Sequence, residues 1–292
     1  MQVSTIGLDL AKRVFHVHGV DAAGAVVVCK RLRRSEVLRF FAKLSPCLVG
    51  MEACASAHYW ARELVALGHE VRLLPPSYVK PYVKRGKNDA VDAAAICEAV
   101  TRPSMRFVAV KSAEQQSVLM LHRVRDLLMR QRTMAINALR AHLAELGIVA
   151  ARGRASVKRL VAGLEDGRLQ GVPELARMVL GQLAGQLRDV ERRVEMVERE
   201  IVAWHRANAD SRRLEAIGGF GPINASALVA TVSDARQFQS GRHMAAWLGI
   251  PPKQKFHRRQ NPAGTHVQAG RSLFAAASGA WSHVGDGSSP GP

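Results

Sequence analysis

Four carboxylates in the first third of the chain have the residue types and spacing for metal-assisted chemistry. Asp9 lies in TIGLDLAK, Glu52 in LVGMEACAS, and Asp89 and Asp92 in RGKNDAVDAA. A spacing of three puts Asp89 and Asp92 on one helical face. Each acid also has an ordinary role open to it. Asp89 suits an N-cap with Asp92 in the first turn, and Glu52 suits the start of a helix, where it favours the dipole. Asp9 suits the exposed face of an edge strand, because an unpaired charge buried in a sheet is costly. Taken together, the four make a pattern. Like charges gathered at one place repel, so a shared cluster calls for a cation. Oxygen donors without paired His or Cys select Mg²⁺ or Mn²⁺. Two such ions about 3.5–4 Å apart would activate a nucleophile and stabilise a leaving oxygen in phosphodiester chemistry. Lys80, Lys84, Arg85 and Lys87 crowd the approach to the aspartate pair and are candidate contacts to a nucleic-acid backbone.

The elements that must position these acids read as α/β. Ser4 to Leu10, Val14 to Val20 and Ala25 to Arg31 are short apolar runs, the last two joined by the turn-like DAAG. SEVLRFFAKL has helical spacing, CLVGM is a brief buried strand, Ala57 to Leu67 is an alanine-rich helix, and HEVRLLP is a strand ended by Pro75 and Pro76. Three strands in meander followed by alternating helix and strand predict a mixed sheet with helices on its faces. From Ser112 the texture changes to helical spacing for about nine turns, ending at Gly147. A second long helix is predicted from Pro173 to about Ala207, with Leu183, Leu187, Val190, Val194 and Val197 on one face. Two such helices, split by an Arg- and Gly-bearing segment, predict an antiparallel pair or coiled coil and a route to homodimers or homotetramers. Further on, Gly218-Gly219-Phe220-Gly221 lies between two helical segments. Gly219 and Gly221 could turn backbone N–H groups toward a DNA phosphate, or could simply make a turn.

The charge narrows the partners. Lys plus Arg is 42 against 24 for Asp plus Glu, a net +18 over 292 residues. That sign and size suit a polyanion such as DNA or RNA, through counterion release. No apolar run reaches membrane-spanning length and the first residues do not read as a signal peptide, so no membrane role and a cytoplasmic place are expected. The four cysteines show no CxxC spacing and read as reduced thiols.

With these residues in view, the sequence resembles the DEDD transposases of the bacterial insertion-sequence family one-ten. The resemblance runs from IGLDLAK through GMEACASAHYWARELVALGHEVRLLPP and YVKPYVKRGKNDAVDAAAICEAV to GGFGPINASALVATVSDARQF and AAWLGIPP, about residues 1 to 254. It implies a RuvC-like, ribonuclease-H-type catalytic domain (residues 1–111) with Asp9, Glu52, Asp89 and Asp92 as its acidic tetrad. It also implies a coiled-coil region (112–207) and a small helical C-terminal transposase domain (208–255). The activity implied is DNA transposition guided by a structured RNA, in which Mg²⁺ at the acids assists a serine that forms a covalent link to DNA. Two other readings remain open on the residues alone. One is a structure-selective nuclease of the same fold, needing only the acids and metal; the other is a non-catalytic nucleic-acid-binding protein. Ala55, where many relatives carry Gly, is a minor departure.

The serious departure follows Lys255. The resemblance calls for a glycine–lysine segment and then S-K-R-G-D-x-Y-L-R with a nucleophilic serine, but the chain reads FHRRQNPAGTHVQAGRSLFAAASGAW. Neither Ser272 nor Ser278 has the matching context. Suitable codons for Phe256 to Ala276, read from the second base, spell the missing motif, with the serine codon straddling Val267 and Gln268. The expectation is a one-base slip near codon 255, an out-of-frame segment over 256–292 with little reason to fold, and a chain without its covalent nucleophile.

Overall fold

The computed structural model describes residues 2–83, 89–151, 153–232 and 234–249, with the backbone alone at Asp89 and Arg154. Five strands form one mixed sheet: β1 (Thr5–Asp9), β2 (Val14–Val20), β3 (Val26–Arg33), β4 (Leu48–Glu52) and β5 (Glu70–Leu74), in the order β3-β2-β1-β4-β5. β1 pairs antiparallel with β2 and parallel with β4, and β4 pairs parallel with β5. The edge-strand role open to Asp9 is therefore overturned. β1 is the central strand, and Asp9 closes it.

Strand alternation explains the two faces. Ile6 and Leu8 of β1, Phe15 and Val17 of β2, Val49 and Met51 of β4, and Leu73 of β5 share one core. Helices α1 (Val37–Phe41) and α2 (Ala57–Ala66) cover it with Phe41, Trp60 and Leu64. Each fully buried side chain of this size contributes about 1.5–3 kcal/mol. Leu74 of β5 turns to the opposite face. There it packs with Val79 at the end of α3 (Pro76–Val79) and with Ile96 and Val100 of α4 (Asp89–Val100). The architecture is α/β with a ribonuclease-H-like mixed sheet, followed by helices.

Contacts divide the chain into two compact units. One is Gln116–Ala230; the other takes the residues up to Gln115 and the described residues from Thr231 onward, including α10 (Gly241–Trp247). The helical unit is built on α5 (Ala113–Ala144) and α7 (Glu174–Ala207), with α8 (Ala209–Glu215) and α9 (Pro222–Thr231) after them. α5 and α7 run antiparallel. Arg125 pairs with Glu198 at 2.7 Å, Leu128 clusters with Val190 and Val194, and Leu139 and Leu143 cluster with Leu180 and Ala184. The Arg- and Gly-bearing segment between them contains one more helix, α6 (Arg154–Glu165), whose Val157 and Leu164 join the same core. Val157, Leu160, Val161 and Leu164 stand at helical spacing, so tertiary burial overrides the polar residues around them.

Candidate metal centre

Asp9 and Glu52 end two adjacent parallel strands. In register, Leu8 lies opposite Met51, so the next residues along are Asp9 and Glu52. Alternation then fixes their face. Ile6 and Leu8 point into the α1–α2 core, so Gly7 and Asp9 point the other way; Val49 and Met51 do the same for Gly50 and Glu52. That second face is the one α4 covers.

α4 lies unusually close. A Cβ on Gly7 would fall 2.0 Å from the Ala93 carbonyl oxygen and 2.5 Å from the Cys97 nitrogen, so only glycine admits the helix here. A Cβ on Gly50 would meet Val100 at 2.8 Å. The Cys97 thiol reaches the Thr5 carbonyl at 3.8 Å. Gly7 thus lies under the helical turn from Ala93 to Cys97, with the Cys97 thiol reaching on toward Thr5, and the helix runs antiparallel to β1. Four helical residues advance about 6 Å and two strand residues about 6.6 Å. One more step along both carries the first turn of α4 toward the Asp9 end of β1. Asp89 is the first helical residue of α4, and Asp92 follows in the same turn.

The electrostatics agree with this placement. The Glu52 carboxyl is held above its ordinary value, first by burial, then by the charge of Asp92, while Lys80 partly offsets both. The Cys54 thiol is pushed up to about 11 by burial and then by Glu52 and Asp9. Glu52 is therefore within electrostatic reach of Asp92 and Lys80, and Cys54 feels both strand-end acids. Asp9, Glu52 and Asp92 are all half-buried. Among the described residues no three His, Cys, Asp or Glu side chains stand together closely enough to hold a metal ion; the side chain of Asp89 is outside that set. The donor chemistry nonetheless fits a hard cation. These are carboxylate oxygens partly withdrawn from water, and Glu52 and Asp92 repel. His16, opposite Asp9 across the β1–β2 ladder, is buried beside it.

The remaining site residues divide. Lys80 is placed beside Glu52; Lys84, Arg85 and Lys87 lie outside the described residues, as does the whole of 256–292. Gly219 has φ 92° and lies with Gly221 in an exposed turn between α8 and α9. Sequence reasoning missed Cys54, whose thiol feels both strand-end acids. It also missed a cluster of four cations, Lys12, Arg13, Arg33 and Arg34, around one cavity. The adjacent basic pairs KR and RR were the available signal. One arrangement looks nucleophilic and is not: His205 bonds the Ser211 hydroxyl at 2.8 Å and Glu215 at 2.9 Å. Ser211 is 0% exposed, so this trio joins α7 to α8 and can meet no substrate.

Comparison with known proteins decides the lineage. A transposase family profile matches residues 6–148, and that of the transposase IS116/IS110/IS902 family matches residues 211–261. A Pseudomonas aeruginosa protein named "Probable family 20 transposase" is 52% identical over 255 residues, 87% of this chain and 75% of its own. The chain belongs to the IS116/IS110/IS902 transposase family. The transposase of insertion sequence element IS1328 from Yersinia enterocolitica is 41% identical over 86% of this chain and 75% of its own. That of IS1111A from Coxiella burnetii is 36% identical over 86% and 69%. The first transposase match begins at Ile6 in β1 and runs past the end of α5. It therefore contains the sheet, α4 and all four acids. The second spans the glycine turn, α9 and α10. No helix among the described residues is long and apolar enough to cross a membrane.

Proposed function

We propose that this transposase carries out phosphoryl transfer on DNA at the α4 face of its sheet. Asp9, Glu52, Asp89 and Asp92 would hold Mg²⁺ or Mn²⁺, and a structured RNA would guide the DNA. The observation that carries this is the position of Asp9 and Glu52 at the ends of two adjacent parallel strands, beneath a close-packed helix whose Asp92 bears electrostatically on Glu52. When bound, the cation would neutralise the carboxylates, polarise a phosphoryl oxygen and favour the attacking and leaving oxygens. The chain's own residues supply the rest. The central strands fix Asp9 and Glu52, α4 fixes Asp89 and Asp92, and Lys80 offers a cation beside Glu52 for a phosphate. Lys84, Arg85 and Lys87, which follow Lys80 in sequence, are further candidate phosphate contacts, and the turn at Gly219 and Gly221 offers exposed backbone to a second stretch of DNA.

The family's serine nucleophile is absent from this sequence, and we infer that residues 256–292 are out of frame. The chain as written then binds metal, DNA and RNA without forming the covalent link. Self-association as a dimer or tetramer has its own support on α5. Met120, Val124, Leu127 and Met134 are exposed at steps of four, three and seven, an apolar stripe of the kind helices bury against each other.

The test is incubation with donor and target DNA, cognate RNA and Mg²⁺, comparing this chain with a frame-restored version and with Asp9→Asn in that version. A covalent protein–DNA adduct in the restored chain alone, lost on Asp9→Asn, is expected. Cleavage of branched DNA by both chains without an adduct would favour the nuclease reading. Full activity in Asp9→Asn would refute any metal role.

A further inference from the structure

On the opposite flank of the sheet end, β2, β3, α1 and α2 line an open cavity of about 880 Å³. Lys12 and Arg13 enter it from the β1–β2 turn, Arg33 and Arg34 from the end of β3, and Tyr59 and Trp60 from α2. The backbone locks the cations side by side: the Arg34 N–H donates to the Arg13 carbonyl at 3.1 Å, and Val14 pairs with Arg33. Among the described residues, no carboxylate lines the cavity and none of the four cations is ion-paired. The neighbouring Glu36 is turned back to accept the Arg33 N–H at 2.7 Å. Four unpaired cations held together repel, and an anion relieves that cost.

The aromatic wall adds a second requirement. Arg34 stacks 5.1 Å from the Trp60 ring and 5.8 Å from that of Phe15, which itself packs edge-on to Trp60. Tyr59 sits edge-on to Trp60 at 5.2 Å and remains 42% exposed, an aromatic surface left uncovered at the rim. Phosphate-binding cations beside an exposed ring suit a strand whose bases are unstacked. A duplex buries its base faces and offers the ring nothing. The volume falls within the range of small-ligand sites of about 300–1,000 Å³ and is open to a continuing strand. Connectivity puts the cavity next to the acids, since Lys12 follows Asp9 by three residues and Tyr59 follows Glu52 by seven.

We propose that this cavity receives unpaired nucleotides of a polynucleotide, with Arg13, Arg33 and Lys12 on the phosphates and a base on Tyr59. The proposal deepens the reading of the chain as a nucleic-acid-processing transposase and rests on it. The probes are labelled oligonucleotides of one sequence as single-stranded RNA, single-stranded DNA and duplex DNA, titrated against the full chain by fluorescence anisotropy at several salt concentrations. Tyr59→Ala should weaken binding of at least one single strand by about 5- to 150-fold, leave the duplex unchanged, and be rescued by Tyr59→Phe. The double variant Arg13→Ala, Arg33→Ala should lower the single-strand salt slope by about 1.4. The RNA and DNA arms show which strand is held. Wild-type single-strand binding by Tyr59→Ala, or an equal loss on duplex, would overturn the proposal. Mg²⁺ titration tests the metal centre separately; Tyr59→Ala should leave it at wild-type affinity, so one reading can fail without the other.

Discussion

Replacing Gly7 by alanine should separate the proposed metal centre into its halves. The new Cβ would lie 2.0 Å from the Ala93 carbonyl oxygen, where real contacts are not closer than 3.0 Å. The obstruction is helix backbone, which cannot rotate aside as a side chain can. α4 must lift from β1 by at least about 1 Å, at an overpacking cost of about 1–3 kcal/mol. Asp89 and Asp92 travel with the helix, while Asp9 and Glu52 stay on the sheet. Mg²⁺ demands oxygen distances near 2.0–2.1 Å, so a shift of that size should weaken its binding by about tenfold or more. Gly50→Ala is the internal control. Its Cβ meets only Val100 side-chain atoms, at 2.8 and 3.1 Å, over the far end of the helix, so metal affinity should change by less than threefold, about 0.6 kcal/mol. Isothermal titration with Mg²⁺ and thermal unfolding read both quantities. Gly7→Ala with wild-type metal affinity and wild-type melting temperature would refute the placement of α4 and the convergence drawn from it.

Three further outcomes are expected. Burial and Asp92 raise the Glu52 carboxyl above its ordinary 4.5, so the metal-free fold should lose stability as pH rises above that value. Mg²⁺ should restore it, and Glu52→Gln should raise the metal-free melting temperature while removing the Mg²⁺ response. Cys54, held at about 11 partly by Glu52 and Asp9, should alkylate faster at pH 8.5 when Mg²⁺ neutralises those acids. Mass spectrometry in a Cys29→Ser background checks this, and an unchanged rate counts against cation binding there. In the helical unit, the Ser226 hydroxyl donates to the Pro222 carbonyl and accepts from His122 Nε2, and His122 is fully buried with its pKa lowered to about 4 by burial and Arg125. The unfolded chain takes that proton near 6.5, so stability worth about 3 kcal/mol should drain away between pH 6.5 and 4. Equilibrium denaturation should show His122→Gln lacking that slope.

The local elements were legible because their signals are local. Val14–Val20 was readable to the residue from its apolar run, and the long helices from their period. Strand order was not legible, because pairing partners leave no mark within a strand. That is why Asp9 looked compatible with an edge and proved to close the centre. The significance of Gly7 was equally hidden: it is a strand residue like any other until the helix laid over it is known. Asp89 and Asp92 could be grouped by spacing alone, whereas the cation cluster draws on residues 12–13 and 33–34 and needs the hairpin to bring them together. α6 was missed because Gly153, Gly163 and the flanking arginines outweighed its apolar stripe.

The order in which the acids leave the ribosome has a consequence of its own. The sheet is complete at Leu74, yet half of the carboxylates arrive only with α4. A nascent chain that has folded its strands therefore displays a bare glycine-lined groove and two stranded acids. On the proposed role of these acids, it would act on no phosphodiester until α4 closes over them. For a transposase working as proposed, competence withheld until α4 is made would be a safeguard written into chain order.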